Sequence, residues 1–263
     1  MANTFAIANQ KGGVGKTTTT VNLAAALARS RKRVLVVDMD PQGNATMASG
    51  ISKRELENSV LEVLLNEIPA QQAVVKSATG LYDLLPANSD LTAAELDLLN
   101  ELMREQRLHN AVQTLAEQYD FILIDCPPSL NMLTLNALVA ADGVIIPVQC
   151  EYFALEGLSD LVQTIQKVAG IANHRLHIEG IVMTMYDARN TLTNDVSVQL
   201  KQHFGDKLYR THIPRNVRLA EAPSHGQPIF NYDPASKGAV AYFGLAGEVI
   251  RRAGESAKQR GTN

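Results

Sequence analysis

Residues 10–18 read Gln10-Lys11-Gly12-Gly13-Val14-Gly15-Lys16-Thr17-Thr18, and they directly follow a short apolar run, Phe5-Ala6-Ile7-Ala8. An apolar strand that leads through a glycine-rich turn into a helix points the unpaired N–H groups of the helix start at one spot. Glycines let the backbone approach an anion, a lysine reaches phosphate oxygens, and a threonine hydroxyl ligates Mg²⁺. The run therefore predicts a phosphate-binding loop between a strand and a helix.

The loop departs from the usual pattern G-x-x-x-x-G-K-[ST] at its first position. Gln10 stands where that pattern has a glycine, and Lys11 adds a second lysine at the mouth of the loop. A dinucleotide-binding pattern G-x-G-x-x-G fits less well, because Thr18 occupies the place of its third glycine. We therefore predict phosphate contacts from Gly12, Gly13, Val14, Gly15, Lys16, Thr17 and Thr18.

The composition is that of a globular protein with little excess charge. Of its 263 residues, 46% are hydrophobic and 19% charged, and the net charge is −3. This balance argues against a constitutively basic nucleic-acid-binding protein, so a contact with DNA requires a local patch. The length suits one large domain. We predict a single domain over residues 1–253 and a frayed polar tail over residues 254–263.

Targeting signals and reactive cysteines are not evident in the sequence. No apolar run approaches the ~20 residues of a membrane span, and a basic start followed by an apolar signal core is missing. These features predict a cytoplasmic protein. Cys126 and Cys150 lie beside apolar runs, which predicts reduced thiols in the core.

Strand-like and helix-like patterns alternate along the chain. A second buried strand is predicted over residues 33–38, and apolar runs typical of strands covered on both faces recur at residues 121–124, 143–146 and 178–182. The fold class predicted is α/β, with a mostly parallel twisted sheet and helices on both faces. Periodicity and capping boxes (Ser52 with Glu55, Thr92 with Glu95) predict helices over residues 18–29, from 52, over 92–119, over 155–168, and over 235–252 with Val240, Phe243, Val249 and Ile250.

Carboxylates follow two of the predicted strands. Asp38 and Asp40 leave the second strand, and Asp125 ends the run 121–124 and precedes two prolines. Ligands in open α/β sheets bind outside the carboxyl ends of the strands. A carboxylate that ends a buried strand requires a cation or hydrogen bonds. Mg²⁺ held through Thr17 would meet that need.

The loop resembles the deviant Walker A motif of the ParA/MinD ATPase superfamily. The resemblance implies ATP and Mg²⁺ as cofactors and ATP hydrolysis as the reaction. It implies that Lys11 reaches the nucleotide of a dimer partner, and it gives catalytic roles to Asp40, Lys11 and Lys16. It further implies metal contacts from Thr17, from Asp125 through water and from Asp38, and contacts with the adenine base from Pro214 and Asn216.

Over the whole chain, the resemblance is closest to the chromosomal ParA/Soj branch of that superfamily. It implies an ATP-dependent homodimer that binds double-stranded DNA without sequence preference. A ParB-like centromere-binding protein would stimulate hydrolysis that is slow on its own, so we expect a cytoplasmic, nucleoid-associated chromosome-partitioning protein. Arg189 and Arg218 match the family's DNA contacts, and Lys201, Lys207 and Arg210 are candidates to extend the patch.

Two other classes of protein remain open at this point. A MinD-like membrane ATPase requires a basic, bulky amphipathic helix at its C-terminus, but residues 253–263 contain no large apolar residue. A metabolic P-loop enzyme, such as a ligase or kinase acting on a small molecule, is the second alternative. The extra lysine favours a nucleotide-gated dimer instead, and the six histidines form no recognisable catalytic or metal-binding pattern.

Overall fold

The computed structural model describes residues 2–260, and its centre is a seven-stranded sheet within that range. Each of the longer strands coincides with a continuous apolar run, as the sequence predicts. The strands are β1 (Asn3–Ile7), β2 (Val34–Asp38), β3 (Val75–Lys76), β4 (Asp83–Leu85), β5 (Phe121–Asp125), β6 (Gly143–Gln149) and β7 (His177–Thr184).

The helices lie between the strands and cover both faces of the sheet. They are α1 (Lys16–Arg29), α2 (Asn44–Ala48), α3 (Val60–Leu64), α4 (Ala70–Ala73), α5 (Ala94–Asp97), α6 (Arg107–Gln113), α7 (Met132–Ala140), α8 (Ala154–Ile171), α9 (Thr191–Phe204), α10 (Val217–Glu221), α11 (Ile229–Tyr232) and α12 (Lys237–Arg260).

The sheet has the order β3-β4-β2-β5-β1-β6-β7 and is parallel except for the pair β3 and β4. Buried side chains alternate between its faces: Ala6 belongs to one hydrophobic cluster, and Phe5 and Ile7 belong to the other. This arrangement confirms the predicted α/β class. It also places Asp38 directly beside Asp125, and Asp125 beside Ile7, at the carboxyl edge of the sheet.

The outer edge of β7 is closed by other parts of the chain. Its backbone carbonyls at Glu179, Ile181 and Met183 accept hydrogen bonds from the Arg252 guanidinium, the Tyr209 N–H and the Ile213 N–H, at 2.8, 2.9 and 2.8 Å. Three carbonyls on this edge are therefore occupied although no eighth strand pairs with β7 in the described residues.

The long helix predicted over residues 92–119 is wrong. Within that range the structure has α5, short 3₁₀ turns and α6, and Met103 adopts a left-handed backbone with φ 54°. The break is fixed by Asn136 of α7, whose amide donates to the Arg104 carbonyl at 2.9 Å and accepts from the Leu108 N–H at 3.1 Å. A tertiary contact thus overrides the helical periodicity.

Both predicted capping boxes are also wrong. No helix starts at Ser52 in the structure, and Thr92 lies inside a 3₁₀ turn that is capped by Asn88. The capping box that forms is Ser59 with Glu62, at the start of α3. Strands β3 and β4 escaped prediction because they have only two and three residues.

The C-terminal helix is longer than predicted. α12 continues through residues 254–260, so this part of the predicted tail is helical, and residues 261–263 lie outside the described residues. Arg251 and Glu255 form an i,i+4 ion pair at 2.8 Å that supports the extra turn. Val240 and Phe243, counted among the apolar residues of this helix, are 68% and 51% exposed.

Candidate nucleotide-binding site

The glycine-rich loop has the backbone that an anion site requires. Gly13 and Gly15 have φ values of 74° and 88°, in the left-handed region that favours glycine. Gly15 is the N-cap of α1 and provides no side-chain cap, so the first N–H groups of a fourteen-residue helix point out of the loop. A Cβ built on Gly12 or Gly13 would meet no atom within 4 Å. The loop is therefore open and presents backbone N–H donors to an approaching anion.

Lys16 lies at the base of this loop. It is 7% exposed, and its Nζ donates to the Lys11 carbonyl at 3.2 Å. Burial lowers the pKa of the ammonium, and the nearby carboxylates of Asp125 and Asp40 oppose that shift. The lysine is thus held inside the loop by the loop's own backbone, where a phosphate tail would meet it.

Asp125 is tied to the first turns of α1. Its two carboxylate oxygens accept hydrogen bonds from Thr17 Oγ1 at 2.8 Å and from Thr20 Oγ1 at 2.9 Å. Thr17 and Thr20 share a helix face because they are three residues apart. The end of β5 is thereby joined to the helix that follows the loop.

Asp38 lies next to Asp125 and is equally buried, since both are 0% exposed. Its Oδ2 accepts from the backbone N–H and the hydroxyl of Thr46, both at 2.8 Å. Burial raises the pKa of Asp38 and of Asp125, and the neighbouring Asp38 charge adds to the shift at Asp125. Within residues 2–260 neither carboxylate has a salt bridge.

Two buried carboxylates beside a threonine hydroxyl form a donor set of oxygens only. In the described chain, no three histidine, cysteine or acidic side chains converge to hold a metal ion by themselves. Mg²⁺ is usually bound by one or two carboxylates and completes its shell with water and phosphate oxygens. Thr17, Asp38 and Asp125 fit that kind of ion, and a cation there would offset the raised pKa of the carboxyl pair.

The turn after β2 places Asp40 on the same side of the sheet as the glycine-rich loop. It is 8% exposed, and its Oδ1 accepts from the Gln42 N–H at 2.9 Å. Gly43 completes the turn with φ 60° and donates to the Asp40 carbonyl at 2.8 Å. Asp40 is close enough to Lys16 to raise the pKa of that ammonium. The turn thus brings the predicted catalytic carboxylate to the loop.

Lys11 lies at the mouth of the loop and differs from Lys16 in its exposure. Its side chain is 40% exposed and forms an ion pair with Glu151 at 2.5 Å. Lys11 and Glu151 line a cleft of about 470 Å³, together with Met185, Asp187 and Arg215. The second lysine therefore faces outward, toward a surface that another molecule can reach.

The two residues predicted to contact adenine, Pro214 and Asn216, lie on a segment that packs against the C-terminal end of β7. Pro214 forms a parallel bridge with Tyr186, and the side chain of Asn216 caps α10 by accepting from the Arg218 N–H at 2.8 Å. Arg215, between them, lines the Lys11 cleft. The structure brings this segment to the cleft, and the contact with adenine stays a prediction.

Each arginine predicted to bind DNA is held by a carboxylate of its own chain. Arg189, with its side chain 90% exposed, donates to both oxygens of Asp187 at 2.9 and 2.8 Å. Arg218 pairs with Glu221 at 2.9 Å and with Asp233 at 3.6 Å. The other basic residues, Lys201, Lys207 and Arg210, line a second cleft of about 1520 Å³, whose walls include neither arginine.

The sequence analysis did not identify several residues of the site. Thr20, Thr46 and Glu151 hold Asp125, Asp38 and Lys11, and Asp187 holds Arg189. The spacing of Thr17 and Thr20 on one helix face was a usable signal. Thr46 carried none, because an eight-residue separation across a turn follows no regular period, and Glu151 carried none, because it lies 140 residues from Lys11.

A donor loop after β1, flanked by strands that end on Asp38 and Asp125, defines a P-loop nucleotide-binding protein of the two-lysine type. A family model described as "AAA domain" matches residues 2–178. The sporulation initiation inhibitor protein Soj of Bacillus subtilis is 52% identical over 249 residues, which are 95% of this chain and 98% of that protein. The chromosome partitioning protein ParA of Caulobacter vibrioides is 50% identical over 94% of each chain. This chain belongs to the ParA/Soj family of chromosome-partitioning ATPases.

Solved structures agree with this assignment of the fold. The structure of cobyrinic acid a,c-diamide synthase from Mycobacterium smegmatis, with bound ADP and magnesium, matches with a TM-score of 0.86 at 39% identity and covers 97% of each chain. The predicted fold class and the resemblance drawn from the loop are thereby confirmed. Between residues 2 and 260 no helix combines the length and apolar character needed to cross a bilayer.

Proposed function

We propose that this protein is a DNA-segregation ATPase that switches with its nucleotide. Its ATP-bound form is a sandwich dimer that binds double-stranded DNA without sequence preference. A ParB-like centromere-binding protein stimulates its slow hydrolysis of ATP, and hydrolysis releases the DNA. The observation that carries the proposal is the contrast within one loop between Lys16, which is buried, and Lys11, which is exposed at the mouth.

The residues of the loop are suited to hold ATP with Mg²⁺. The N–H groups of residues 12–18 and the Lys16 ammonium would bind the phosphates. Thr17 would ligate Mg²⁺, with Asp125 acting through water and Asp38 nearby. Mg²⁺, when bound, supplies charge neutralisation at the β- and γ-phosphate oxygens. Pro214 and Asn216 would lie against the adenine base.

ATP hydrolysis requires little covalent chemistry from the protein. Asp40 orients the attacking water, and Lys16 with Lys11 of the partner subunit stabilises charge on the transferred group. Two lysines on one phosphate tail repel each other unless the tail carries enough negative charge to hold both. Dimerisation therefore depends on ATP, and turnover is slow until a partner completes the site.

The DNA-binding form follows from dimerisation. The chain has a net charge of −3, so a single patch with Arg189 and Arg218 binds DNA weakly. A dimer sets two such patches side by side and doubles the phosphate contacts, which makes binding tighter and steeply salt-dependent. A protein of this kind is cytoplasmic and associated with the nucleoid.

The test uses the Asp40→Ala variant, in which ATP is bound but not hydrolysed. We expect it to bind a random-sequence DNA duplex at low salt with ATP and not with ADP, and to lose affinity as salt rises. Arg189→Ala in the same background is the control, and it should dimerise with ATP but bind DNA weakly. If the Asp40→Ala reference itself dimerises with ATP but binds no DNA, the DNA role is refuted.

The same protein also tests the other two classes. Sedimentation with anionic liposomes in ATP would reveal a membrane ATPase. The similar protein from M. smegmatis is named as a diamide synthase, and a chain with that activity would hydrolyse ATP faster when a carboxylic acid acceptor and an ammonia donor are added. We expect neither effect.

A further inference from the structure

Thr184, the last residue of β7, contacts the glycine-rich loop. Its Oγ1 donates to the Val14 carbonyl at 2.8 Å, and the two residues are 2% and 1% exposed. Its Cγ2 lies 3.9 Å from a Cβ built on Gly15. Val14 stands between Gly13 and Gly15, whose left-handed backbones shape the loop. A change in the loop therefore acts directly on the Thr184 hydroxyl.

The next residue has a strained backbone. Met185 adopts φ 49°, a left-handed conformation that costs free energy in a residue with a long side chain. Such strain persists only where the surrounding contacts enforce it. Here the contacts on either side are the Thr184 hydrogen bond and the pairing of Tyr186. Met185 thus lies between two anchors and stores strain that a change at either anchor can release.

Beyond Met185, Tyr186 connects the two segments that carry the predicted DNA-binding arginines. Tyr186 accepts from the Arg215 N–H at 3.3 Å and donates its own N–H to the Ile213 carbonyl at 2.9 Å. Segment 213–215 leads within three residues to Arg218, and Tyr186 leads within three residues to Arg189. Asp187, which holds Arg189, also lines the cleft that contains Lys11 and Glu151.

We propose that Thr184 is a positioning residue that couples the conformation of the glycine-rich loop to Arg189 and Arg218 through the strained bend at Met185. When nucleotide rearranges Val14, the Thr184 hydroxyl transmits the change, and Met185 leaves its left-handed conformation. Tyr186 then shifts the two segments that carry the arginines. This inference rests on the proposed DNA-binding function and adds to it the internal link between the nucleotide and the DNA surface.

The test compares Thr184→Val with Thr184→Ser in the Asp40→Ala background. Valine keeps the shape and removes the donor, whereas serine keeps the hydroxyl. We expect Thr184→Val to bind ATP within about threefold of the reference but to lose about tenfold or more of the ratio between DNA affinity in ATP and in ADP. Thr184→Ser should retain most of that ratio. An unchanged ratio in Thr184→Val would overturn the proposal.

A second variant covers the case in which Thr184→Val fails to fold. Met185→Gly accepts the left-handed backbone without strain, so no strain remains to be released at the bend and the ratio should fall as well. A normal ratio in Met185→Gly would contradict the role of the bend.

Hydrogen exchange separates this inference from the proposed function, because it needs no DNA. Addition of ATP should alter exchange in residues 185–190 and 213–218 of the Asp40→Ala reference, and Thr184→Val should suppress that alteration. If the reference binds no DNA but shows this response, the DNA role fails and the coupling stands. If exchange in these residues ignores ATP in the reference, the coupling is refuted.

Discussion

The site has an inner wall and a set of outer pairs, and they are built differently. The inner wall consists of Lys16, Thr17, Asp38 and Asp125, which are mostly buried and hydrogen-bonded to one another or to the adjoining backbone and threonines. The outer pairs are Lys11 with Glu151, Arg189 with Asp187, and Arg218 with Glu221, and all are partly or largely exposed.

This difference indicates which part of the site is fixed and which part exchanges partners. Buried polar groups are costly to disturb, so the inner wall is ready for its ligand before binding. Exposed ion pairs contribute only about 0–1 kcal/mol each. Under the proposed function, the cations of the outer pairs would therefore leave their own carboxylates readily when a nucleotide of a partner subunit or a DNA phosphate competes for them.

The largest effect is expected at the inner wall. Lys16→Ala should weaken ATP binding by about 100-fold or more, because truncation of a buried, charge-bearing contact costs about 2–5 kcal/mol. Titration with a fluorescent ATP analogue measures the loss. Lys32→Ala, a change at the surface beyond the end of α1, is the control and should bind normally. Micromolar affinity retained by Lys16→Ala would remove this lysine from the site.

A large but more selective effect is expected at the first outer pair. Lys11→Ala should bind ATP as a monomer within about threefold of the reference, and its ATP-dependent dimer should be weaker by about 30-fold or more. Sedimentation velocity with ATP in the Asp40→Ala background gives the dimer affinity.

Glu151→Gln is the matched variant for Lys11. It releases Lys11 from its own chain without removing the ammonium, so the ATP-dependent dimer should persist. A dimer of normal strength in Lys11→Ala would refute the role of Lys11 across the interface.

A moderate effect with a defined pH dependence is expected from the buried carboxyl pair. Burial raises the pKa of Asp38 and Asp125 in the folded protein, so the native state binds more protons than the unfolded chain. The free energy of unfolding therefore falls as pH rises from the ordinary carboxyl range through the raised pKa values. Asp125→Asn should raise the Tm of the nucleotide-free protein, more at about pH 8.5 than at about pH 5.5.

Differential scanning fluorimetry at the two pH values measures this gain, at about 2–4 °C for each kcal/mol. Asp120→Asn is the control, because Arg33 holds the pKa of Asp120 below its usual range and the substitution should lower the Tm. Added ATP and Mg²⁺ should stabilise the reference protein more than Asp125→Asn. A lower Tm for Asp125→Asn at both pH values would contradict the charge argument.

The smallest effect is expected at the second outer pair. Asp187→Asn frees Arg189 from its intramolecular partner, so DNA affinity with ATP at low salt should rise by about two- to fivefold. Fluorescence anisotropy with a labelled duplex detects such a change. Asp97→Asn makes the same change of charge at an exposed position of α5, a helix that carries none of the predicted DNA-binding residues. An equal rise in both variants would show that net charge alone is responsible.

The structure brings together the residues that the sequence singled out for the inner wall, whereas no sequence pattern pointed to the carboxylates in the outer pairs. Lys16 and Thr17 begin α1 after the glycine-rich loop, and Asp125 ends β5 beside them; their roles toward a nucleotide stay predictions. Glu151 and Asp187 gave no signal, since a carboxylate near a surface cation follows no pattern. The helix predicted over residues 92–119 failed for a related reason: Asn136, far along the chain, breaks it. Local sequence periodicity carries no information about contacts between segments that are distant in the chain, so those contacts could not be predicted.

The two ends of the sheet determine where copies of this chain are able to meet. An open sheet edge invites further strands and leads to aggregation. Here β3 closes one end with two residues, of which Lys76 is exposed and charged, and the opposite edge of β7 has its carbonyls occupied by Arg252, Tyr209 and Ile213. Growth of the sheet from copy to copy is blocked at both ends. Under the proposed function, self-association is then left to the loop surface around Lys11, where a nucleotide would control it.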